Sequence, residues 1–529
     1  MKCRFVFSLA LACLVTGVAA QSPVDLGTIS LIKQEALTRS QVMDHVGWLS
    51  DVYGPRVTGT PNFQRASDWA MSRFKEWGLT NIHQERFAFG QGWRVERFSA
   101  HILAPEPQPI IGYPRTYSPS TKGPIAGDVV RVDIRSDADF AKYKGTLKDK
   151  IVLPQPARRV RMLEDRIVLR MNEDDIAEAL TTPIPPSAGA GGSSGPAGTS
   201  GPSLAERVAQ FYVTEGVAAL LERGPDSDLS AGGSDLSWQT QRVDGGTIFP
   251  GGGGSRDPKA LPQVPSATIA VEHYNRMIRV LDKKLPVRVE LNIQTIFYPE
   301  AAATPNGINT IADIPGTDLA EEVVIMGAHL DTTTGATGAT DNATGSAAMM
   351  EVARIIKTLG LQPRRTIRVA LWGGEEQGLL GSRAYVAEHY GTQTSPKPAH
   401  AKVAAYYNLD NGTGKIRGIW GQGNLGAMSV FEEWIQSVRD LGVDIVGPRS
   451  VGATDHAPFD STGIPGFQFI QERLEYNSRT HHSNMDFVDR VQPADVVQQA
   501  AVAAVFAWYT ANWPEKLPRR VAPRSGTAQ

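Results

Sequence analysis

Two glutamates, Glu375 and Glu376, stand side by side in WGGEEQGLLGS, directly after the apolar run TIRVAL. Adjacent carboxylates repel each other, so solubility alone gives little reason to place them between small-residue clusters. Metal-capable side chains recur at the ends of other apolar runs. His329 and Asp331 close VVIMGAHLD, Asp410 closes VAAYYNLD, and His482 lies in a loop after GFQFI. Asp341 opens DNATGSAAMMEVARIIKTLG, close to the start of a helical pattern. Each has a plain structural use. Asp341 suits a helix N-cap, Asp410-Asn411-Gly412 a turn, His481-His482 a surface loop, and Asp455-His456 a local hydrogen-bonded pair. Together, however, four strand-like ends carry such groups. Two histidines and three carboxylates make a nitrogen and oxygen donor set suited to zinc. Consecutive residues leaving a strand point in different directions, so Glu376 can bind metal while Glu375 faces a metal-bound water as general base. The small residues of GGEEQG permit a tight turn and close approach of a substrate.

These groups need a scaffold that brings residues 329 to 482 to one rim. From residue 305 onward, continuous apolar runs alternate with helical stretches, which predicts strands buried on both faces of a mostly parallel sheet. In such α/β sheets ligands bind at the carboxyl ends of the strands. Residues 28–50 and 62–78 read as helices, the second placing Ala66, Trp69, Ala70, Phe74 and Trp77 on one face. From about 118 to 285 the texture changes to short β-like runs divided by Gly and Pro, an inserted β-rich domain. Within it, 186–202 and 250–254 are too rich in glycine to pack a core and read as loops or lids. The run LAERVAQFYVTEGVAALLERG between them reads as helix-like. The basic, Pro-rich tail 515–529 reads as disordered.

The chain of 529 residues is 41% hydrophobic and 20% charged, an ordinary globular composition with room for two or three domains. Its net charge of -2 gives no electrostatic reason to expect nucleic acid or an anionic membrane as partner. Lys2 and Arg4, the apolar run behind them and Val18-Ala19-Ala20 predict a signal peptide over 1–20, hence export to periplasm or medium. Both cysteines, Cys3 and Cys13, fall in that leader. The mature chain would then have no thiolate ligand, leaving His, Asp and Glu to hold any metal.

The stretches GAHLDTTTGATGATDNATG, LWGGEEQGLLGS, YNLDNGTG and RTHHSNMD resemble the motifs of metallopeptidase family twenty-eight, the dinuclear zinc aminopeptidases. The likeness is strong over about 300–512, and is greatest to the plasma glutamate carboxypeptidase branch. YGPRVTGTPNF, from Tyr53, is similar to that family's opening segment, and 118–285 to the protease-associated domain many members carry. The resemblance implies a zinc-exopeptidase fold, with the catalytic domain divided into 21–117 and 286–514 around the insert. It implies two Zn2+ ions bridged by Asp341, with His329 and Asp410 completing one site and Glu376 and His482 the other. Glu375 is then the general base, and Asp331 the aspartate that orients His329. The family pattern H-[ST]-x-x-[DE] matches His482 to Asp486, which selects His482 over His481.

The implied activity is removal of an amino acid from the end of short peptides or dipeptides, from the amino end by family membership. The alternatives are carboxypeptidase-type cleavage, a single-zinc glutaminyl cyclase, and a binding protein without catalysis, which would not need Glu375. The loop QERLEYNSRTHH offers Glu472, Glu475 and Tyr476 for an α-amine, or Arg473 and Arg479 for a carboxylate. An insert roofing the rim would admit chain ends and refuse folded proteins.

Overall fold

The computed structural model describes residues 25–182, 201–224, 229–231 and 238–520. The leader 1–20, nearly all of the Gly-rich run 186–202 and the end of the tail lie outside the described residues.

The apolar runs become the four central strands of an eight-stranded sheet: Arg365–Trp372, Leu319–His329, Val403–Asn408 and Gly466–Gln471, in that spatial order. All three pairings among them are parallel. Their residues alternate between two cores. Val324, Met326, Val369, Leu371 and Tyr407 face the helices Thr344–Thr358 and Pro493–Asn512. Ile325, Ala370, Trp372 and Tyr406 face Tyr385, Val386 and Phe459 on the helices of the other side. That two-sided burial is why the runs lack polar alternation. Gly307–Ile314 and Thr80–Phe87 extend one edge antiparallel, while Ile416–Trp420 and Ile445–Gly447 extend the other. The fold is the α/β architecture expected, with its parallel pairs at the centre.

The predicted early helices form as Leu26–Arg39, Val42–Gly47 and Pro61–Glu76, the last capped by Thr60, whose side chain accepts from the Phe63 N–H.

A second eight-stranded sheet has its own core, built on Ile102, Val129, Leu221, Ile269, Val289 and Leu291. Its two longest strands, Gly92–Ala104 and Arg288–Tyr298, pair antiparallel along their length. The sheet therefore draws on residues 92–298, beyond 118–285 at both ends. The helix-like run after Pro202 divides: Leu204–Thr214 is helix and Ala219–Glu222 is a central strand. Gly216, at φ +69°, takes the left-handed conformation that ends the helix, and the apolar segment beyond it joins the sheet. The first residues of the tail are also ordered. Lys516 pairs with Glu322, Arg519 donates to the carbonyls of His400, Val403 and Gly463, and Arg520 pairs with Asp460. Among the described residues no helix is long and apolar enough to cross a membrane.

Phe506 lies fully buried where Pro493–Asn512 meets the sheet, against Tyr407, Phe431, Trp434 and Phe469. Phe506→Ala should destabilise by about 3–5 kcal/mol through the cavity it leaves. Urea unfolding followed by circular dichroism measures this; a loss under about 1 kcal/mol would mean that the helix does not depend on this packing.

Candidate active site

Three of the four inner strands deliver polar residues at their carboxyl ends. His329 is the last residue of its strand, Glu375 and Glu376 follow Trp372 by a tight turn, and Asp410 follows Asn408 by two residues. Gly374 in that turn sits at φ +68°, and a Cβ on Gly373 would fall 2.4 Å from the Ile308 carbonyl. This is the physical need behind the paired glycines. Asp341 lies just before the helix Thr344–Thr358, with non-helical backbone (φ -130°, ψ 87°). It does not cap that helix with its side chain, because its carboxylate turns to the histidines.

The expected residues converge. The Nε2 of His329 lies 3.2 Å from Asp341 Oδ1 and 3.3 Å from Asp410 Oδ1. On the other side of Asp341, His482 Nε2 lies 3.3 Å from Oδ2 and 2.8 Å from Glu376 Oε2. His481 is more distant, 3.8 Å from Asp341 Oδ2, and its ring stacks on Tyr476. Asp341 is thus the shared member of two donor groups. The Nδ1 of His329 meets the Asp331 main-chain carbonyl at 3.0 Å and the carboxylate at 3.6 Å. The Asp331 carboxylate also accepts from Thr58 Oγ1 and from the Glu375 N–H.

The two glutamates divide. Glu376 accepts from the Thr333 N–H at 2.9 Å and turns into the donor cluster. Glu375 instead lines a cavity of about 230 Å³ together with Asp341, Asp410, Trp420, Arg473, Tyr476, His481 and His482. Of the loop charges, Glu472 is tied to Arg170 and Arg417, and Glu475 to Arg479 and Arg490. Those four ion pairs brace the loop, and Arg473 and Tyr476 line the cavity wall.

Negative charge dominates the electrostatics. Burial pushes the Glu375 carboxyl well above its ordinary range, and the charges of Asp410, Asp455 and Glu376 push the same way. Burial opposes a charged imidazole at His329, yet Asp410 and Glu375 hold it well above its usual value. Burial likewise opposes charge on Asp341, but the hydrogen bond to His329 and the charges of His482 and His481 hold it low. His482 is drawn down by desolvation and carried to about 9 by Glu376 and Asp341. The Oδ2 of Asp341 is buried without a hydrogen-bond partner. Packing this many carboxylates around two imidazoles, with one oxygen unsatisfied, suits a cation and is costly without one. The nitrogen and oxygen donors fit zinc.

Three supporting residues were not singled out from sequence. Arg56 is fully buried and donates to the carbonyls of Leu49, Leu330, Thr337 and Gly338, pinning the strand end and the Asp341 loop together. Its guanidinium is drawn by desolvation down to about 10, with Asp486, Asp331 and Asp341 opposing. Thr58 bridges Asp331 to the Gly374 N–H. Asp486 accepts from the N–H groups of Thr340 and Asp341, and burial raises it to about 7. The H-[ST]-x-x-[DE] pattern contained Asp486; Arg56 and Thr58 carried only a place in the opening segment.

Strand-end carboxylates and imidazoles on this three-layer α/β scaffold define the class of metal-dependent hydrolases with an exopeptidase fold. Residues 309–507 match the model of peptidase family M28, and this domain marks the chain as a metallo-exopeptidase. It is similar to carboxypeptidase Q of Bos taurus, 26% identical over 478 residues, which cover 90% of this chain and 86% of the relative. A shorter match, 36% identical over 166 residues, joins 30% of this chain to 34% of leupeptin-inactivating enzyme 1 of Streptomyces exfoliatus. Among solved structures, a peptidase M28 precursor from Shewanella amazonensis superposes with a TM-score of 0.65 at 24% identity, covering 94% of this chain and 99% of that one. A zinc aminopeptidase from Bacillus subtilis superposes at 0.53 and 19% identity, covering 89% and 94%. These two likenesses are of fold.

Arg56→Met should cost about 3 kcal/mol or more, because it leaves several buried carbonyls unsatisfied at once. Thermal unfolding of the metal-free protein measures the loss, and a melting point equal to the parent's would show that Arg56 does not hold the loops.

Proposed function

We propose that this chain is an exported, zinc-dependent exopeptidase that removes the terminal residue of short peptides, acting from the amino end. The observation that carries the reading is the divergence of the paired glutamates, one into the donor cluster and one into the cavity. Asp341 would bridge two zinc ions, His329 and Asp410 completing one set and Glu376 and His482 the other. Bound zinc would supply Lewis-acid polarisation of the scissile carbonyl and neutralise the developing oxyanion. Glu375 then takes a proton from the attacking water onto a carboxylate oxygen as the C–O bond forms, and passes it to the amine nitrogen as the tetrahedral adduct collapses and the C–N bond breaks. Burial, which raises its proton affinity, favours that task. Asp331 holds His329 in orientation through Nδ1, and its bond to the Glu375 N–H fixes the base relative to the same strand end.

The cavity supports a small substrate. At about 230 Å³ it has the room of roughly eight waters at about 30 Å³ each. Its Trp420 wall is backed by Trp238 from the second-sheet unit, the segment 92–298 that builds the second sheet and the loops between its strands, ring centroids 6.1 Å apart, in an apolar cluster with Leu169, Met171 and Ile470. That contact supports the wall from behind, while the residues lining the cavity itself come from 341–482. Arg473 in the wall favours a second reading, recognition of a free carboxylate.

Glu375→Gln should retain two zinc equivalents by metal analysis and lose turnover by roughly 100-fold to 10,000-fold. Glu376→Gln should instead lower zinc content. Equal loss of metal in both variants would refute the division of labour, and a single equivalent in fully active enzyme would favour the cyclase alternative.

A free dipeptide, its N-acetyl form and its C-terminal amide separate the two ends. Acetylation should abolish cleavage while amidation is tolerated. The reverse pattern would reject amino-end reading and assign Arg473 the decisive contact.

A further inference from the structure

The loop that carries His481 and His482 is held from outside the catalytic sheet. Three anchors reach it from the second-sheet unit. Leu169 and Leu474 exchange backbone hydrogen bonds, at 2.9 and 3.1 Å. Ser478 donates its hydroxyl to the Ile167 carbonyl, and its main-chain carbonyl accepts from the Val243 N–H. The third anchor is Asn484, two residues beyond His482. Its main-chain N–H donates to the Ile248 carbonyl at 3.0 Å, its Oδ1 accepts from the Ile248 N–H at 2.6 Å, and its Nδ2 donates to the Gly246 carbonyl at 3.1 Å.

His482 itself needs such support. Its backbone lies at φ +59°, the left-handed region that a residue with a Cβ adopts only when its surroundings impose it. Its side chain is 46% exposed, so packing alone does not fix it. On the C-terminal side, Asp486 ties the chain to Thr340 and Asp341, beneath the donor cluster. Asn484 ties the intervening segment to Ile248, which is buried. A primary amide suits this place because it donates and accepts at once, meeting both polarities of one passing backbone.

We propose that Asn484 is a positioning residue: locked to Gly246 and Ile248, it fixes the left-handed turn at His482, so the second-sheet unit sets how firmly the site retains metal. The inference rests on His482 serving as a ligand. It gives the second-sheet unit a role in metal retention that is separate from shaping the substrate cavity. Asn484 touches neither substrate nor metal and acts through the backbone of its neighbour.

The test compares the full-length zinc protein with its Asn484→Ala and Asn484→Asp variants. Aspartate keeps the acceptor for the Ile248 N–H but sets a carboxylate against the Gly246 carbonyl. Zinc release to a chromogenic chelator should accelerate by about 10-fold to 100-fold in the alanine variant, the scale of losing a ligand's outer support. The visible absorption of the cobalt-substituted protein should shift, since it reports ligand geometry. The metal-free melting temperature should change little. A lowered metal-free melting temperature with parent-like zinc release and an unchanged cobalt spectrum would overturn the proposal and leave Asn484 a structural residue. If alanine prevents folding, the aspartate variant decides by the same two readouts. Glu376→Gln separates the two levels of the argument. If it weakens metal binding while Asn484→Ala does not, the positioning role fails alone. If neither weakens binding, the reading of the site as a zinc centre falls with it.

Discussion

Buried negative charge is the constraint around which this structure is arranged. The side chains of Asp331, Asp341, Glu376 and Asp410 are all buried at one rim, with Glu375 beside them and Asp486 beneath. The imidazoles of His329 and His482 and the guanidiniums of Arg56 and Arg473 are fewer than these six carboxylates. A buried carboxylate without a partner is strongly disfavoured, so main-chain N–H groups are recruited: Thr333 to Glu376, Glu375 to Asp331, Thr340 and Asp341 to Asp486. Asp341 Oδ2 is left over, between the two donor groups. Main-chain dipoles neutralise part of this charge, and the unmatched Asp341 oxygen falls where a cation would sit.

A parallel sheet makes that concentration possible. Neighbouring strands run the same way, so their carboxyl ends form one edge, and a residue placed just after each strand joins the same cluster at any sequence separation. This explains why so much of the site was legible in the sequence. His329, Glu375, Glu376 and Asp410 each terminate a continuous apolar run, and that is a local pattern. Asp341 was legible through the helix it precedes, and His482 through its motif.

What was not legible depended on distant pairing. Arg56 gives no periodic signal, because its partners are carbonyls at Leu49, Leu330, Thr337 and Gly338, brought together only in the fold. The second sheet extends past the β-rich texture because Gly92–Ala104 and Arg288–Tyr298 recognise each other across the whole insert, and register over such a span leaves no mark on composition. The run from Leu204 to Glu222 mixes a helix and a strand, since short apolar segments suit either until a neighbour decides. Residues 515–520 looked like tail by composition, but their basic groups found Glu322, Asp460 and free carbonyls.

The adjacency of Glu375 and Glu376 follows from the same geometry. In the role proposed for Glu375, the base must stand beside the donor cluster without joining it, at a distance that does not drift. Here the segment 331–333, which continues the His329 strand, contacts both glutamates: the Asp331 carboxylate receives the Glu375 N–H, and the Thr333 N–H meets the Glu376 carboxylate. Thr58 adds a third tie, from Asp331 to the N–H of Gly374. Two neighbouring parallel strands are thereby locked together just past their ends, and the spacing between His329 and the paired glutamates becomes a property of the sheet. Had the two carboxylates come from separate loops, each would need its own support to hold that spacing. On one turn between fixed glycines, one side chain reaches the donor cluster and its neighbour the cavity, from a single anchorage.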